Sequence, residues 1–366
     1  MVETDLHPDW VAGISIGAIN AAIIAGNPLE RRVERLRAFW EGITASPLGT
    51  WADPWFADST SLSSFGDMTH GMIDQISAFQ ALIAGAPGFF KPRFPPPWMA
   101  MPGSDGATSF YDTGALKTTL ESLIDFDRIN SREMRFSVGA VNVQSGNFVY
   151  FDSANQPIGP EHILASGALP PGFPAIEIDG EFYWDGGLVS NTPLQWVVDS
   201  EPRASTLAFQ VDLWSSRGEF PKDLTEVGVR LKEIQYSSRT RAATDRLEGM
   251  QEIRSALSTL LHGISEPLCD PEQLRLLKEF ADRKVYNVVQ LIYRSKHYEG
   301  NSKDYEFSRF SMAEHWEAGY EDAMRALKHK EILERPDNKE GFRSFDFSSD
   351  DGTDHGTGPE PTGHKS

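Results

Sequence analysis

Gly13-Ile14-Ser15-Ile16-Gly17 stands between a short apolar run, Trp10-Val11-Ala12, and a small-residue run over residues 18–26 that stops at Gly26-Asn27-Pro28. A strand, a turn one residue wide and a helix are what this order predicts. Glycines flank the serine because such a turn leaves little room for side chains beside it. The small residues of the following stretch suit a helix pressed closely on a sheet, and Gly-Asn-Pro supplies its stop. A hydroxyl carried on that turn is lifted into the open, next to backbone N–H groups at a helix N-terminus. The pattern alone is equally a glycine-punctuated strand–helix turn that packs a helix and nothing more. Its chemistry depends on what else the chain brings to Ser15.

The rest of the chain reads as alternating α and β elements. Residues 29–43 form an amphipathic helix with a charged face, and helical periodicity returns over 68–83. Residues 85–106 form a long connection in which Pro87, Pro92, Pro95, Pro96, Pro97 and Pro102 interleave with Phe89, Phe90, Phe94, Trp98, Met99 and Met101. It either packs on the core or walls an acyl-binding space or lipid interface. Thr113 is placed to cap a helix reaching Ile124. Residues 134–143 and 147–152 read as a hairpin through Gln144-Ser145-Gly146, and 160–166 as a helix. Asp179-Gly180 is a tight-turn signal between two further short strands. Residues 206–213 and 285–293 read as strands, and 224–261, 271–284 and 312–329 as helices. Beyond Glu334 the chain is polar and Gly/Ser/Asp-rich, which predicts a disordered tail.

Composition removes several functional classes. Asp and Glu outnumber Lys and Arg by 53 to 34, a formal net charge of −19. That balance opposes binding of a phosphate backbone, which needs clustered cations, and simple adhesion to anionic lipid. Nucleic acid is excluded as a partner on this ground. A neutral substrate, or one held through its apolar part, fits better. The single Cys269 forms no intrachain disulfide and leaves no paired-thiolate zinc site. No apolar run reaches the roughly 18 residues of a spanning helix, and the acidic start lacks the features of a secretory signal. The expectation is a cytoplasmic protein without metal or cofactor, with room for peripheral contact with a membrane or lipid aggregate.

A serine nucleophile needs a base. His70, His162, His262, His297, His315 and His329 are scattered without glycine-rich or strand-end settings, and only His162, just ahead of Ala165-Ser166-Gly167, invites a Ser–His esterase or acyl-transferase reading. Asp185 is the stronger partner. It ends the aromatic run Phe182-Tyr183-Trp184 and is followed at once by Gly186-Gly187, so an open backbone lets it approach another loop.

Taken together, Gly13-Ile14-Ser15-Ile16-Gly17 and Asp185-Gly186-Gly187 resemble the signature of the patatin-like phospholipase family. Ala165-Ser166-Gly167-Ala168-Leu169-Pro170-Pro171-Gly172-Phe173-Pro174 before the Asp turn and Asn191-Thr192-Pro193 after it are similar to the family's flanking motifs. The resemblance covers residues 10–213. It implies an α/β, three-layer fold with a largely parallel central sheet, followed by a mostly helical C-terminal extension like that of some bacterial members. It also implies a lipid acyl hydrolase of phospholipase A or esterase type. Ser15 attacks the ester, Asp185 accepts its proton, an acyl-enzyme forms, and the Ile16 amide helps hold the oxyanion. Free Asp, with a pKa of about 3.9, is a weak base, so Asp185 is expected to be desolvated, with Phe182 and Trp184 beside it as the apolar setting.

The family's Gly-rich oxyanion loop, with its basic residue, has no counterpart between Met1 and Gly13. The first strand and that loop are therefore expected to be missing, with turnover lowered roughly a hundredfold or more. The domain reading that follows is a catalytic unit over 1–213, a helical extension over 214–333 and a tail over 334–366. The competing functional reading is a catalytically impaired patatin-like fragment that acts as a lipid- or partner-binding module.

Overall fold

The computed structural model of the chain describes residues 4–44, 85–263, 270–293, 309–336 and 341–347. The helix expected over 68–83, His70, Cys269 and His297 lie outside them, as does most of the polar tail.

Strand β1 (Trp10–Ile14) leads into helix α1 (Ile16–Ala25) and then α2 (Leu29–Ile43), as the sequence pattern dictates. Ala18, Ala21, Ala22 and Ala25 are buried along α1 together with Ile19 and Ile23, so small side chains bring this helix down onto the sheet. The end of α1 is tied off by Asn27, whose side-chain amide donates to the carbonyls of Ile23 and Leu123 at 2.9 and 2.8 Å. After the short pair β2 (Lys91–Pro92) and β3 (Tyr111–Asp112) come helices α3 (Gly114–Leu123) and α4 (Phe126–Asn130). Thr113 stands at the N-terminus of α3 but makes no side-chain capping bond. Asp112 takes that role instead, its Oδ1 accepting the Gly114 N–H at 2.7 Å.

The long strand β4 (Arg135–Asn142) and β5 (Phe148–Asp152) form the expected hairpin, followed by α5 (Pro160–Ser166). Strands β6 (Ile176–Ile178) and β7 (Glu181–Asp185) flank Asp179 and Gly180, both at positive φ as a primed two-residue turn requires. Helix α6 (Leu194–Asp199) follows.

Register explains the layout. β1 runs parallel to β4 over Arg135 to Gly139, with Ile14 opposite Gly139. β5 pairs antiparallel with Ser137 to Val141 and so occupies the other edge. β7 pairs antiparallel with Ala140 to Asn142, continuing along the edge that β1 leaves, with Asp185 opposite Ala140. β1 and β7 therefore meet end to end on one edge of β4, both C-terminal ends pointing at the junction. The α/β class holds, and parallel order in this sheet is confined to β1 and β4. β5, β6 and β7 run antiparallel.

The second sheet is parallel throughout, in the order β10–β9–β8. It joins β8 (Thr206–Asp212) to β9 (Tyr286–Ile292) and β10 (Phe342–Asp346), with the long helix α7 (Leu224–Gly263), α8 (Pro271–Phe280) and α9 (Arg309–Leu327) around it. β10 departs from the sequence reading, which placed this stretch in a disordered tail. Its Phe342 is buried, and β9 satisfies its backbone. Arg254 ties the extension to Asp199 at the end of α6 at 2.8 Å, and inside the extension the Gln251 amide bonds Asp282 Oδ1 and the Lys284 carbonyl at 2.8 and 2.7 Å. Among the described residues, no helix is long and apolar enough to cross a membrane.

Candidate active site

The end-to-end meeting of β1 and β7 puts Ser15 and Asp185 in contact. Ser15 turns the chain from β1 into α1 at φ 55°, ψ −125°, a backbone conformation that costs a non-glycine residue on the order of 1–3 kcal/mol. Its hydroxyl makes no helix-capping bond. It donates instead to Asp185 Oδ2 at 2.6 Å. The other carboxylate oxygen of Asp185 accepts the Gly187 N–H at 2.7 Å, and the Asp185 N–H donates to the Ala168 carbonyl at 3.0 Å. Ser15 is half-buried whereas Asp185 is 2% exposed.

Burial dominates the electrostatics of Asp185. It raises the carboxyl pKa from 3.8 to about 6, against the opposing pull of the Ser15 hydroxyl and the Gly187 N–H. Phe182 and Trp184 lie on the other face of β7 from that carboxylate. Strand alternation turns Tyr183 and Asp185 to the interior and leaves Phe182 exposed. The desolvation comes from the seat of Asp185 at the β1–β7 junction.

The glycines divide into those the geometry needs and one it does not. A Cβ on Gly13 would lie 2.2 Å from the Gly17 carbonyl oxygen, and one on Gly186 would lie 2.6 Å from the Gly139 carbonyl oxygen and 2.9 Å from Ile14. A Cβ on Gly187 would sit 3.1 Å from Asp185 Oδ1, whereas one on Gly17 would meet nothing within 4 Å. Gly13 is thus fixed by the tightness of its own turn, against the first residues of α1, and Gly186 by its close approach to β4 and the end of β1. Crowding accounts for one glycine of the Ser turn and not for the other.

Ser166, at the end of α5, is a residue whose part at this site the sequence reading did not identify. Its hydroxyl accepts the Ser15 N–H at 2.9 Å and donates to the Gly139 carbonyl at 2.6 Å, joining the strained turn to β4. The Ser15 amide is therefore already engaged, and the Ile16 amide is the next along the chain. No periodicity marks a single hydroxyl in a helix, and in the sequence Ser166 stands out only as part of the Ala165–Pro174 stretch that resembles the family's flanking motif.

Among the described residues, the candidate histidines have partners other than Ser15. His162 is buried, and its Nδ1 accepts the Gly159 N–H at 3.0 Å, closing the first turn of α5. Its ring packs edge-on against Phe151. Burial lowers its pKa, with Glu161, the Gly159 contact and Asp179 opposing in part. His262 contacts the Ser258 carbonyl, His315 the Tyr293 ring and His329 the Glu331 carboxylate.

A profile of the patatin-like phospholipase family matches residues 1–197, and one described as patatin phospholipase matches residues 234–339. A search of curated proteins finds no match. Among solved structures, VipD from Legionella pneumophila aligns at 14% identity and a TM-score of 0.29, over 87% of this chain and 60% of that one. The chain thus spans less than two thirds of the length of that protein. With the family profile covering more than half of its residues, Ser15 and Asp185 included, the chain belongs to the patatin-like phospholipase family.

Proposed function

We propose that this chain hydrolyses lipid acyl esters through a Ser15–Asp185 dyad and a covalent acyl-enzyme. One observation carries the reading: a 2.6 Å hydrogen bond from a serine on a strained turn to a buried carboxylate of raised proton affinity. A base with a pKa of about 6 is still mostly ionised at neutral pH, yet holds a proton roughly a hundredfold more tightly than a free Asp.

In the first half-reaction Asp185 Oδ2 takes the Ser15 proton as Oγ bonds to the ester carbonyl carbon. The negative charge collects on the carbonyl oxygen, facing the Ile16 amide and the positive end of α1. As the tetrahedral adduct collapses, the C–O bond to the alcohol breaks and the Asp185 proton goes to the leaving oxygen. In the second half a water gives its proton to Asp185 and its oxygen to the acyl carbon. The acid departs, and the proton returns to Ser15. The catalytic unit proposed is residues 1–213, with the extension from 214 onward joined to it through the pairing of β8 with β9.

The test compares Ser15→Ala, Asp185→Asn and His162→Ala in an ester-hydrolysis assay. The first two should abolish turnover with the circular dichroism spectrum unchanged, and His162→Ala should retain it within about threefold. Substantial turnover by Asp185→Asn removes the dyad. Loss with His162→Ala alone favours a Ser–His enzyme. Lipid binding by the wild-type chain without turnover favours the binding-module reading.

A further inference from the structure

The long Pro- and aromatic-rich connection divides into two parts of opposite character. Phe89 and Phe90 are buried, and with Tyr111 and Phe173 they form a cluster of rings 4.8–6.2 Å apart. A few residues on, Phe94, Trp98, Met99 and Met101 are 96%, 75%, 69% and 80% exposed. Contiguous exposure of large apolar side chains on this scale marks a surface that is covered in use.

We propose that residues 93–102 are an interfacial anchor that inserts into a zwitterionic phospholipid surface. The choice of that occupant follows the lipid-hydrolase reading and rests on it, and two observations support it independently. The first is charge. In a chain with 53 acidic residues, no carboxylate occurs from Gly85 to Ser104. The net charge of −19 opposes an anionic surface, so a neutral headgroup layer entered through apolar contact is the lipid this protein can approach.

The second observation is the backbone. Each unsatisfied amide that a loop carries into a lipid interface costs free energy. Pro95, Pro96, Pro97 and Pro102 have no amide to satisfy. The Met99 and Ala100 amides are already bonded to the Pro96 and Pro97 carbonyls at 2.8 and 3.1 Å, in a single 3₁₀ turn over Pro97–Met99. Of residues 93–102, only the Phe94, Trp98 and Met101 amides carry no hydrogen bond to the described residues, so seven of ten positions have no amide left to desolvate, and the prolines leave little conformational freedom to lose.

The base of the loop is fixed. The Arg93 amide bonds the Phe110 carbonyl at 3.0 Å and its guanidinium the Ser109 hydroxyl at 3.0 Å. The Phe110 and Tyr111 amides then bond the carbonyls of Pro171 and Gly172 at 3.1 and 2.9 Å. That segment continues back to Ala168 and Ser166, which hold Asp185 and Ser15. Insertion of the loop therefore orients the dyad relative to the lipid surface through one continuous set of hydrogen bonds.

Vesicle flotation with phosphatidylcholine tests the proposal, using the Ser15→Ala chain so that binding is read without hydrolysis. A Phe94→Ser, Trp98→Ser, Met101→Ser variant should partition about tenfold or more weakly. The same changes in the chain with Ser15 intact should leave hydrolysis of a dispersed short-chain p-nitrophenyl ester unchanged. Trp98→Tyr should keep most of the binding. Trp98→Ser alone, at an exposed position, gives a second reading independent of the folding of the triple variant. Unchanged partition overturns the proposal, as does binding confined to anionic vesicles. So does conversion of a dimer to a monomer by the triple variant, which would assign the patch to a second copy of the chain. A chain that floats through this loop but hydrolyses no ester refutes the hydrolase and leaves the anchor. Hydrolysis with no loop-dependent flotation does the reverse.

Discussion

Replacing Asp185 by Asn should stabilise the protein while destroying its activity. The carboxyl is 2% exposed, and its pKa stands at about 6 against an ordinary 3.8. At about 1.4 kcal/mol per unit, keeping that group ionised in the fold costs about 3 kcal/mol at pH 8 relative to the unfolded chain. Asn carries no charge and can still accept from Gly187 and meet the Ser15 hydroxyl through neutral, weaker hydrogen bonds. The expected net gain is about 1–3 kcal/mol. The sign follows from the raised pKa. Well below pH 3.8 Asp185 is protonated in both states and the charge contributes no difference between the two proteins. The gap opens as pH rises past 3.8, where the unfolded carboxyl ionises, and is complete above about 6, where the folded one does. Urea unfolding at intervals from pH 4 to 8 reads this gap directly, and ester hydrolysis should fall about 10³-fold or more. An Asn variant less stable than wild type at pH 8, or a gap that does not change with pH, would refute the reasoning.

Ser166→Ala should leave the Ser15 amide and the Gly139 carbonyl without their partner, costing about 1–3 kcal/mol and lowering kcat about tenfold with little change in KM. Steady-state kinetics separates that positioning role from plain loss of stability. Gly13→Ala should fail to yield soluble protein, whereas Gly17→Ala should fold normally, as expression and circular dichroism would show. At Asp152, burial favours the neutral form, but Arg135 at 2.7 Å, the Ala154 N–H and the Ser137 hydroxyl outweigh it and hold the carboxyl below its ordinary range. Its stabilisation is present above pH 3.8 and lost as pH falls through the lower native value. Asp152→Asn should therefore destabilise at pH 7 by about 2 kcal/mol or more and flatten the acid limb of unfolding.

What was legible in the sequence is local. The strand, one-residue turn and helix around Ser15 follow from Gly, Ala and Ile spacing, and Asp185 stands out as the end of an aromatic strand before two glycines. That these two lie together, 170 residues apart in the chain, came from the family resemblance. Its physical cause is a register, β1 and β7 sharing one edge of β4, which no single segment encodes. The sequence reading set Phe182 and Trp184 beside Asp185, yet the sequence itself contains the alternation that separates them. Phe182 and Trp184 alternate with Tyr183 and Asp185, so strand periodicity turns them to the opposite face. β10 is not legible because its two phenylalanines, Phe342 and Phe345, are three residues apart and give no strand alternation, and the pairing with β9 is what holds the segment extended. The Pro-rich connection was read as either core packing or a lipid contact. Phe89 and Phe90 are buried, as core packing requires, and Phe94 and Trp98 are exposed.

The central claim is that Asp185 activates Ser15, and covalent labelling tests it most directly. The chain would be treated with a fluorophosphonate across pH 4–9, and the modified peptide identified and its rate of formation followed by mass spectrometry. Label should appear on Ser15, with a rate that climbs through about pH 6 as Asp185 ionises. That labelling should disappear in Asp185→Asn and persist in His162→Ala. Label on another residue, or a Ser15 rate untouched by Asp185→Asn and abolished by His162→Ala, would contradict the account.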